Sequence, residues 1–270
     1  MMLRGASADA MASLTAELET VVSNSPETAA RISDDLFGVA TTLRSEGALR
    51  RFASDVSVQT EAKTGLVTQV FGGKVADGAL TLLTSAVSKR WTTSRELADG
   101  LESLSVIAAV RSVGNDTARL SDELFELGQA VSQHPELRDA LSDPARSIQA
   151  KSALIDDLLG SSALPATITL AKQSLAGTHR TVGVALKEYQ RITSDVHGER
   201  VATVHVAREL SAADQTRLAD VLSRQYGRPV HLNLLVDPNV LGGIRVEIGD
   251  DVIDGTVSSR LDDARRRLVG

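Results

Sequence analysis

The sequence contains no cysteine. That excludes disulfides, zinc–thiolate sites and a thiol nucleophile, and it suits a reducing compartment. Aromatic residues are scarce, with one tryptophan, two tyrosines and four phenylalanines in 270 residues. So few rings argue against stacking recognition of single-stranded nucleic acid. An excess of positive charge is missing too. The formal net charge is −6, whereas a chain that grips a phosphate backbone is usually basic. The one dense basic run, Arg265-Arg266-Arg267, reads as a helix end whose cations complement the helix dipole. No apolar run approaches the roughly 18 residues of a membrane span. Residues 1–22 lack the continuous apolar core of a signal peptide.

What is present is aliphatic and small. The chain is 42% hydrophobic and 24% charged, ordinary for a globular protein. Its length allows one large domain or two to three small ones. Residues 6–22 carry Ala10, Leu14, Leu18, Val21 and Val22 at helical spacing. A second helix starts at Pro26 or Glu27 and turns Ile32, Leu36, Val39, Ala40 and Leu43 to one side.

The chain then repeats itself. A shift of 88 residues aligns Ser33-Asp34-Asp35-Leu36-Phe37 with Ser121-Asp122-Glu123-Leu124-Phe125. It also aligns Leu49-Arg50 with Leu137-Arg138, Ser54-Asp55 with Ser142-Asp143, and Ala62-Lys63 with Ala150-Lys151. Between residues 33 and 72, 12 of 40 ungapped positions are identical, against about three expected from residue frequencies. The pattern predicts a duplicated all-helical unit. In the second copy, helices are expected near 115–132, 135–142, 147–159, 165–176 and 180–197, with a break at Gly177. Residues 93–113 carry Leu97, Leu101, Leu104, Ala108 and Val110. They close the first copy and double as a candidate first helix of the second. Gly114-Asn115-Asp116 reads as a C-cap followed by an N-cap.

After His197-Gly198 the period changes from helical to alternating. Strands are expected over 201–206, 231–236, 243–248 and 252–254. A helix capped by Ser211 turns Leu218, Val221 and Leu222 inward. A last helix from about 257 places Val257, Leu261, Ala264 and Leu268 on one face. The expected fold is therefore mainly α with a small α/β C-terminal domain. Its parts are a first helical bundle over 1–113, a second over 114–200, and the α/β domain over 201–270.

No constellation for chemistry emerges. The five histidines (134, 179, 197, 205 and 231) show no i, i+4 pairing. His205 and His231 fall in strands, where two rings approach only if the strands are neighbours. Gly72-Gly73-Lys74 lacks the first glycine and the hydroxyl of a phosphate loop and reads as a helix-to-helix turn. The acidic pairs Asp34-Asp35, Asp156-Asp157, Asp250-Asp251 and Asp262-Asp263 do not share a helix face. They read as solvated or first-turn charge. Neither a catalytic site, a metal site nor a cofactor is expected.

The stretch 236–261 packs three turn signals between short apolar runs and then opens a helix at Asp254-Gly255-Thr256. Asp237, Pro238, Leu241, Gly242, Gly243, Gly249, Asp254, Gly255, Arg260 and Leu261 stand out in it as fold-defining residues. Together with Ile244-Arg245-Val246, Asp250 and Val252-Ile253, they resemble the C-terminal signature of the delta subunit of bacterial F-type ATP synthases. That family is similar to the mitochondrial oligomycin-sensitivity-conferring protein. Thr256 stands where the family usually has serine, and both residues can cap a helix. Asn115–Pro144 and Lys151–Leu159 resemble the family's helical bundle. In the first copy Val56 replaces the proline. Two bundles instead of one resemble the longer delta proteins of high-GC Gram-positive bacteria.

The resemblance implies a non-catalytic stator subunit of the peripheral stalk. Its helical region would hold N-terminal helices of the alpha subunits, and its C-terminal domain would meet the C-terminus of the b subunit. It would lie at the cytoplasmic face of the cell membrane, reaching the membrane only through the complex and binding no nucleic acid. Without the resemblance, the residues are compatible with a cytosolic helical-repeat scaffold carrying a small regulatory α/β domain.

Overall fold

Sequence period and caps account for eleven consecutive α-helices in the first two thirds of the chain. A computed structural model describes residues 4–22, 25–160, 162–238, 240–249, 251–259, 261 and 266. They divide into two compact units, 1–193 and 194–270, with the boundary inside the eleventh helix. The first expected helical copy lies in the first unit, and the second, expected over 114–200, runs past its boundary at residue 193. Its helices are α1 (Ala6–Val22), α2 (Pro26–Ser45), α3 (Gly47–Ser54), α4 (Thr60–Phe71), α5 (Asp77–Ser88) and α6 (Ser94–Ser112). They continue with α7 (Thr117–Gln133), α8 (Pro135–Ser142), α9 (Ile148–Leu159), α10 (Pro165–Gln173) and α11 (Val182–His197).

The duplication is visible in the helix starts. Helices α3, α4, α5 and α6 open at Gly47, Thr60, Asp77 and Ser94. Helices α8, α9, α10 and α11 open at Pro135, Ile148, Pro165 and Val182, each 88 residues on. The same shift carries the start of α1 at Ala6 onto the start of α6. Helix α6 therefore closes the first copy and stands in the first-helix position of the second. A shared helix must bury more than one face, and α6 is buried all round, from Leu97 through Val110 with one break at Ser103. It packs on α1, α2, α3 and α5 of the first copy and on α10 of the second.

The repeated Ser-Asp-Asp/Glu-Leu-Phe motif has a concrete task in both copies. Asp35 Oδ2 accepts a hydrogen bond of 2.7 Å from the backbone N–H of Ala76, the residue before α5. Glu123 Oε2 accepts one of 2.9 Å from Leu164, the residue before α10. Each carboxylate satisfies an amide at a helix start. Asp35 is thus not merely solvated charge. Beside it, burial and the neighbouring Asp35 charge raise the Asp34 carboxyl above its usual range.

Most inward-facing positions follow the expected periods. Ala10, Leu14, Leu18 and Val22 of α1 are buried, as are Ile32, Leu36, Val39, Ala40 and Leu43 of α2. Val21 is half-buried. At the junction between copies, Gly114–Asp116 forms one 3₁₀ turn. Asp116 makes no side-chain cap there. The Thr117 hydroxyl instead donates to the Gly114 carbonyl at 2.8 Å. Helices α7, α10 and α11 are each shorter than expected at one end or both.

Gly100 in α6 admits the edge of Trp91. A Cβ at this position would lie 2.7 Å from the indole ring and 3.0 Å from the Met11 sulfur. Gly100→Ala is therefore expected to destabilise by about 1–3 kcal/mol through overpacking. Trp91 is the sole tryptophan and its indole N–H donates to the Ala86 carbonyl at 2.8 Å. Its emission should shift to the red, and an unchanged spectrum and melting temperature would contradict the packing.

The second unit has a four-stranded sheet in the order β2-β1-β3-β4. Its elements are β1 (Arg200–Val206), α12 (Ala212–Tyr226), β2 (Val230–Val236), β3 (Ile244–Ile248) and β4 (Asp251–Asp254). β1 and β2 are parallel, joined by α12, and β3 pairs antiparallel with both β1 and β4. Alternation puts Ala202, Val204, Val206, Val246 and Ile248 in one core with Leu222 of α12. Ser211 caps α12 by accepting from the Asp214 amide at 3.2 Å. Val221, expected inward, is instead 50% exposed. Leu218 and Leu222 already fill the stripe that faces the sheet, and Val221 lies off it.

Candidate functional site

The signature stretch is a knot of close backbone contacts. Asp237 directly follows β2, where its amide donates to the Val206 carbonyl at 2.9 Å, and its own carbonyl accepts from Val240 at 3.0 Å. Pro238 and Leu241 stand in the loop that follows, and Leu241 is 79% exposed. Gly242 and Gly243 then run against Gly255 and Thr256. The Gly255 amide donates to the Ile244 carbonyl, and the Val257 amide to the Gly242 carbonyl, both at 2.9 Å. Gly243 has φ +82°, and a Cβ on it would lie 2.4 Å from the Gly255 carbonyl oxygen. Two backbones meet so closely here that Gly243 has no room for a side chain. Gly249 takes φ +59° in the turn between β3 and β4.

Asp254 organises the start of the last helical segment. Its Oδ1 accepts from the Thr256 hydroxyl at 2.7 Å and the Thr256 amide at 2.9 Å. Those hydrogen bonds hold its carboxyl below the usual range, with a smaller contribution from the Arg245 charge. The Thr256 hydroxyl oxygen in turn accepts from the Ser259 amide at 3.2 Å, as a capping residue does. Val257 and Leu261, expected on one face of the last helix, are 44% and 62% exposed. Arg260, Ala264 and Leu268 lie outside the described residues, as do Asn239, Asp250, Asp262, Asp263, Arg265 and Arg267.

The strand histidines do not meet. β1 and β2 are neighbours, but His231 pairs with Val201 and His205 with Leu235, four positions along the strands. That separates the two by about 13 Å. His205 instead lies 4.0 Å from Asp237 and 3.9 Å from Glu247. Among the described residues no group of three histidine, aspartate or glutamate side chains is arranged to hold a metal ion. None of the described helices is long and apolar enough to cross a membrane.

The helical unit holds a feature that local sequence patterns do not reveal. Glu102 of α6 is only 2% exposed. It is ion-paired to Arg44 of α2, accepts from the Tyr189 hydroxyl of α11 at 2.8 Å, and accepts from the Thr178 amide at 2.8 Å. A Cβ on Gly177 would meet Glu102 Oε1, so the expected break at Gly177 is also the place where the carboxylate packs. Burial foremost, then the Glu102 charge, pushes the Tyr189 phenol far above its usual range. A second buried seam runs from Ser105 of α6 to Gln173 of α10 at 3.3 Å, and from Gln173 to Ser33 of α2 at 3.5 Å. Polar contacts thus tie the two copies through α6. The available signal was Asp99 and Glu102, three residues apart on a helix with apolar residues on every side. In addition, the 88-residue shift sets Glu102 where α1 has Leu14.

A sequence model of the family described as the ATP synthase delta (OSCP) subunit matches residues 105–268. The chain belongs to that family. An ATP synthase subunit delta of Nocardioides sp. is 54% identical over 269 residues, covering 99% of this chain and 98% of the relative. One of Streptomyces coelicolor is 38% identical over 271 residues, covering 99% and 98%. A chain of the Toxoplasma gondii mitochondrial ATP synthase hexamer is 20% identical with a TM-score of 0.36, covering 61% of this chain and 96% of that one. That likeness is too weak to add to the sequence match. Membership makes this delta-family chain a non-catalytic structural subunit in the peripheral stalk of the ATP synthase. The family match starts inside α6, so it takes in the second helical copy and the sheet unit and omits α1–α5. The alignments to the two delta relatives span both copies of this chain.

Proposed function

We infer that this chain joins the catalytic head to the stator stalk through two separate contacts. The helical unit holds N-terminal helices of the alpha subunits. The sheet unit meets the far end of the membrane-anchored b chain, its C-terminus, at the cytoplasmic face of the cell membrane. Two linked contacts on one adaptor hold each other in place and so resist the rotor's torque. Asp237, Gly242, Gly243, Asp254 and Gly255 shape the docking unit and carry no chemistry of their own. The first helical copy enlarges or stiffens the head contact.

The observation that carries the b contact is apolar exposure around the glycine knot. Leu241 and Val257 flank the Gly242 contact, where the Val257 side chain lies 3.2 Å from a Cβ position on Gly242, and both are exposed. Exposed aliphatic residues on a sheet unit suit an amphipathic helix from a partner. The test uses the full chain with two peptides, one from the C-terminal end of b and one from the N-terminal end of alpha, each followed by calorimetry. Leu241→Asp with Val257→Asp should weaken b binding at least about tenfold and leave alpha binding unchanged. Undiminished b binding would remove the contact from this surface.

A further inference from the structure

The repeated stretch 51–56 forms one side of a surface groove in the first copy, its counterpart 139–144 forms one side of another in the second, and the charge at one matched position is reversed. In the first copy an open groove is lined by Arg51, Val56, Arg90 and the buried Trp91, with Asp55 at its side. In the second, an open groove is lined by Glu136, Asp139, Asp143, Pro144 and Arg146. The 88-residue shift matches Ser54 to Ser142, Asp55 to Asp143 and Val56 to Pro144. It also matches Arg51 to Asp139, and that pair exchanges a cation for an anion. In the first groove Arg51 and Arg90 are exposed and make no ion pair among the described residues. Val56 is 68% exposed beside them. In the second groove Arg146 is 3.7 Å from Asp143, and Arg138 is 3.5 Å from Asp139.

We propose that the first-copy groove binds an acidic peptide segment with an aliphatic anchor, which the second-copy groove rejects. Charge complementarity selects the occupant. Two unpaired guanidiniums present donors to carboxylates, and exposed Val56 supplies an apolar contact for one side chain. A nucleic acid or an anionic membrane fits less well, because two arginines on a chain of net charge −6 give no extended positive field. Two unlike grooves on one duplicated scaffold let the chain hold two different segments without exchanging them. The inference stands apart from the stator reading and does not depend on it.

Trp91, the sole tryptophan, is buried at the base of the groove and serves as a probe of it. The full chain is titrated with a fluorescently labelled glutamate–leucine peptide, with the lysine–leucine counterpart, and with phosphatidylglycerol vesicles. The acidic peptide should change Trp91 emission and bind with an affinity that falls as salt is added. Arg51→Glu with Arg90→Glu should weaken it at least about tenfold, while Asp139→Arg should leave it unchanged. Both arginines are exposed and unpaired, so far-ultraviolet circular dichroism of the double variant should match the parent. No binding of the acidic peptide would overturn the proposal, and so would equal binding of the lysine peptide or equal binding by the double variant. Vesicle binding as tight as the peptide's and lost in the double variant would reassign the groove to a lipid surface.

Discussion

Replacing Glu102 with leucine is expected to destabilise the helical unit by about 3–5 kcal/mol. The loss is large because three donors depend on one carboxylate. Arg44 would keep its charge at 17% side-chain exposure without its ion-pair partner. The Tyr189 hydroxyl and the Thr178 amide would each lose an acceptor. Asp99 offers Arg44 little compensation, since its Oδ1 is 3.8 Å from Arg44 Nε and makes no hydrogen bond. Removing one member of a buried pair leaves the other charge desolvated, which costs more than the pair contributes when intact. The double change Arg44→Met with Glu102→Leu should recover the part of the loss that comes from the stranded Arg44 charge, while the Tyr189 hydroxyl and the Thr178 amide still lack their acceptor. Urea unfolding followed by circular dichroism measures both. If the single variant unfolds at the parent's midpoint, the network is not what ties the copies together.

The same cluster sets an alkaline limit. The folded phenol of Tyr189 is raised, so folding favours its protonated form. That stability is fully present below the free-phenol value of about 10 and declines progressively as the pH rises above it. Tyr189→Phe should flatten this decline while losing the hydrogen bond to Glu102.

The second large effect is expected at Gly243. Gly243→Ala should cost the sheet unit about 3–5 kcal/mol, the sum of backbone strain and overpacking. A left-handed backbone at φ +82° penalises any L side chain by about 1–2 kcal/mol. The new methyl would also lie 2.4 Å from the Gly255 oxygen and 2.9 Å from the Thr256 Cα. Backbone cannot yield there without breaking the bonds from Gly255 to Ile244 and from Val257 to Gly242. A sheet unit of this size has only a few kcal/mol to lose. Amide dispersion from residues 200–259 should collapse while the helical signal of residues 4–193 persists. Gly249→Ala is the control, since φ +59° strains it but nothing lies within 4 Å of its Cβ, so it should cost only about 1 kcal/mol. Equal effects at the two glycines would show that strain alone, and not the backbone collision, accounts for the loss.

Much of the fold was legible because its signals are local. Prolines at the first helical position, Ser211 as a cap, and apolar residues every third or fourth position all act within one helical turn. The 88-residue repeat needed only comparison of the chain with itself, and the helix starts keep that spacing. The glycine knot was legible as a set of turns, but not as a backbone crossing. The reason Gly243 admits no side chain lies at Gly255 and Thr256, which are brought beside it by the β3–β4 hairpin. His205 and His231 show the same limit. Strand adjacency was open to guesswork, but only the register placed the rings four positions apart.

The sequence by itself determined the helices, the duplicated unit, the change to a small sheet unit and the absence of cysteine chemistry. Periodicity and capping are properties of neighbours along the chain. Only the tertiary structure decided that α6 is shared between the copies. Glu102 joins Arg44 across 58 positions and Tyr189 across 87, and the repeated carboxylates cap helices 41 positions away. A charge reads as solvated until the fold removes the water around it and brings its partners into reach, and no local pattern carries that information.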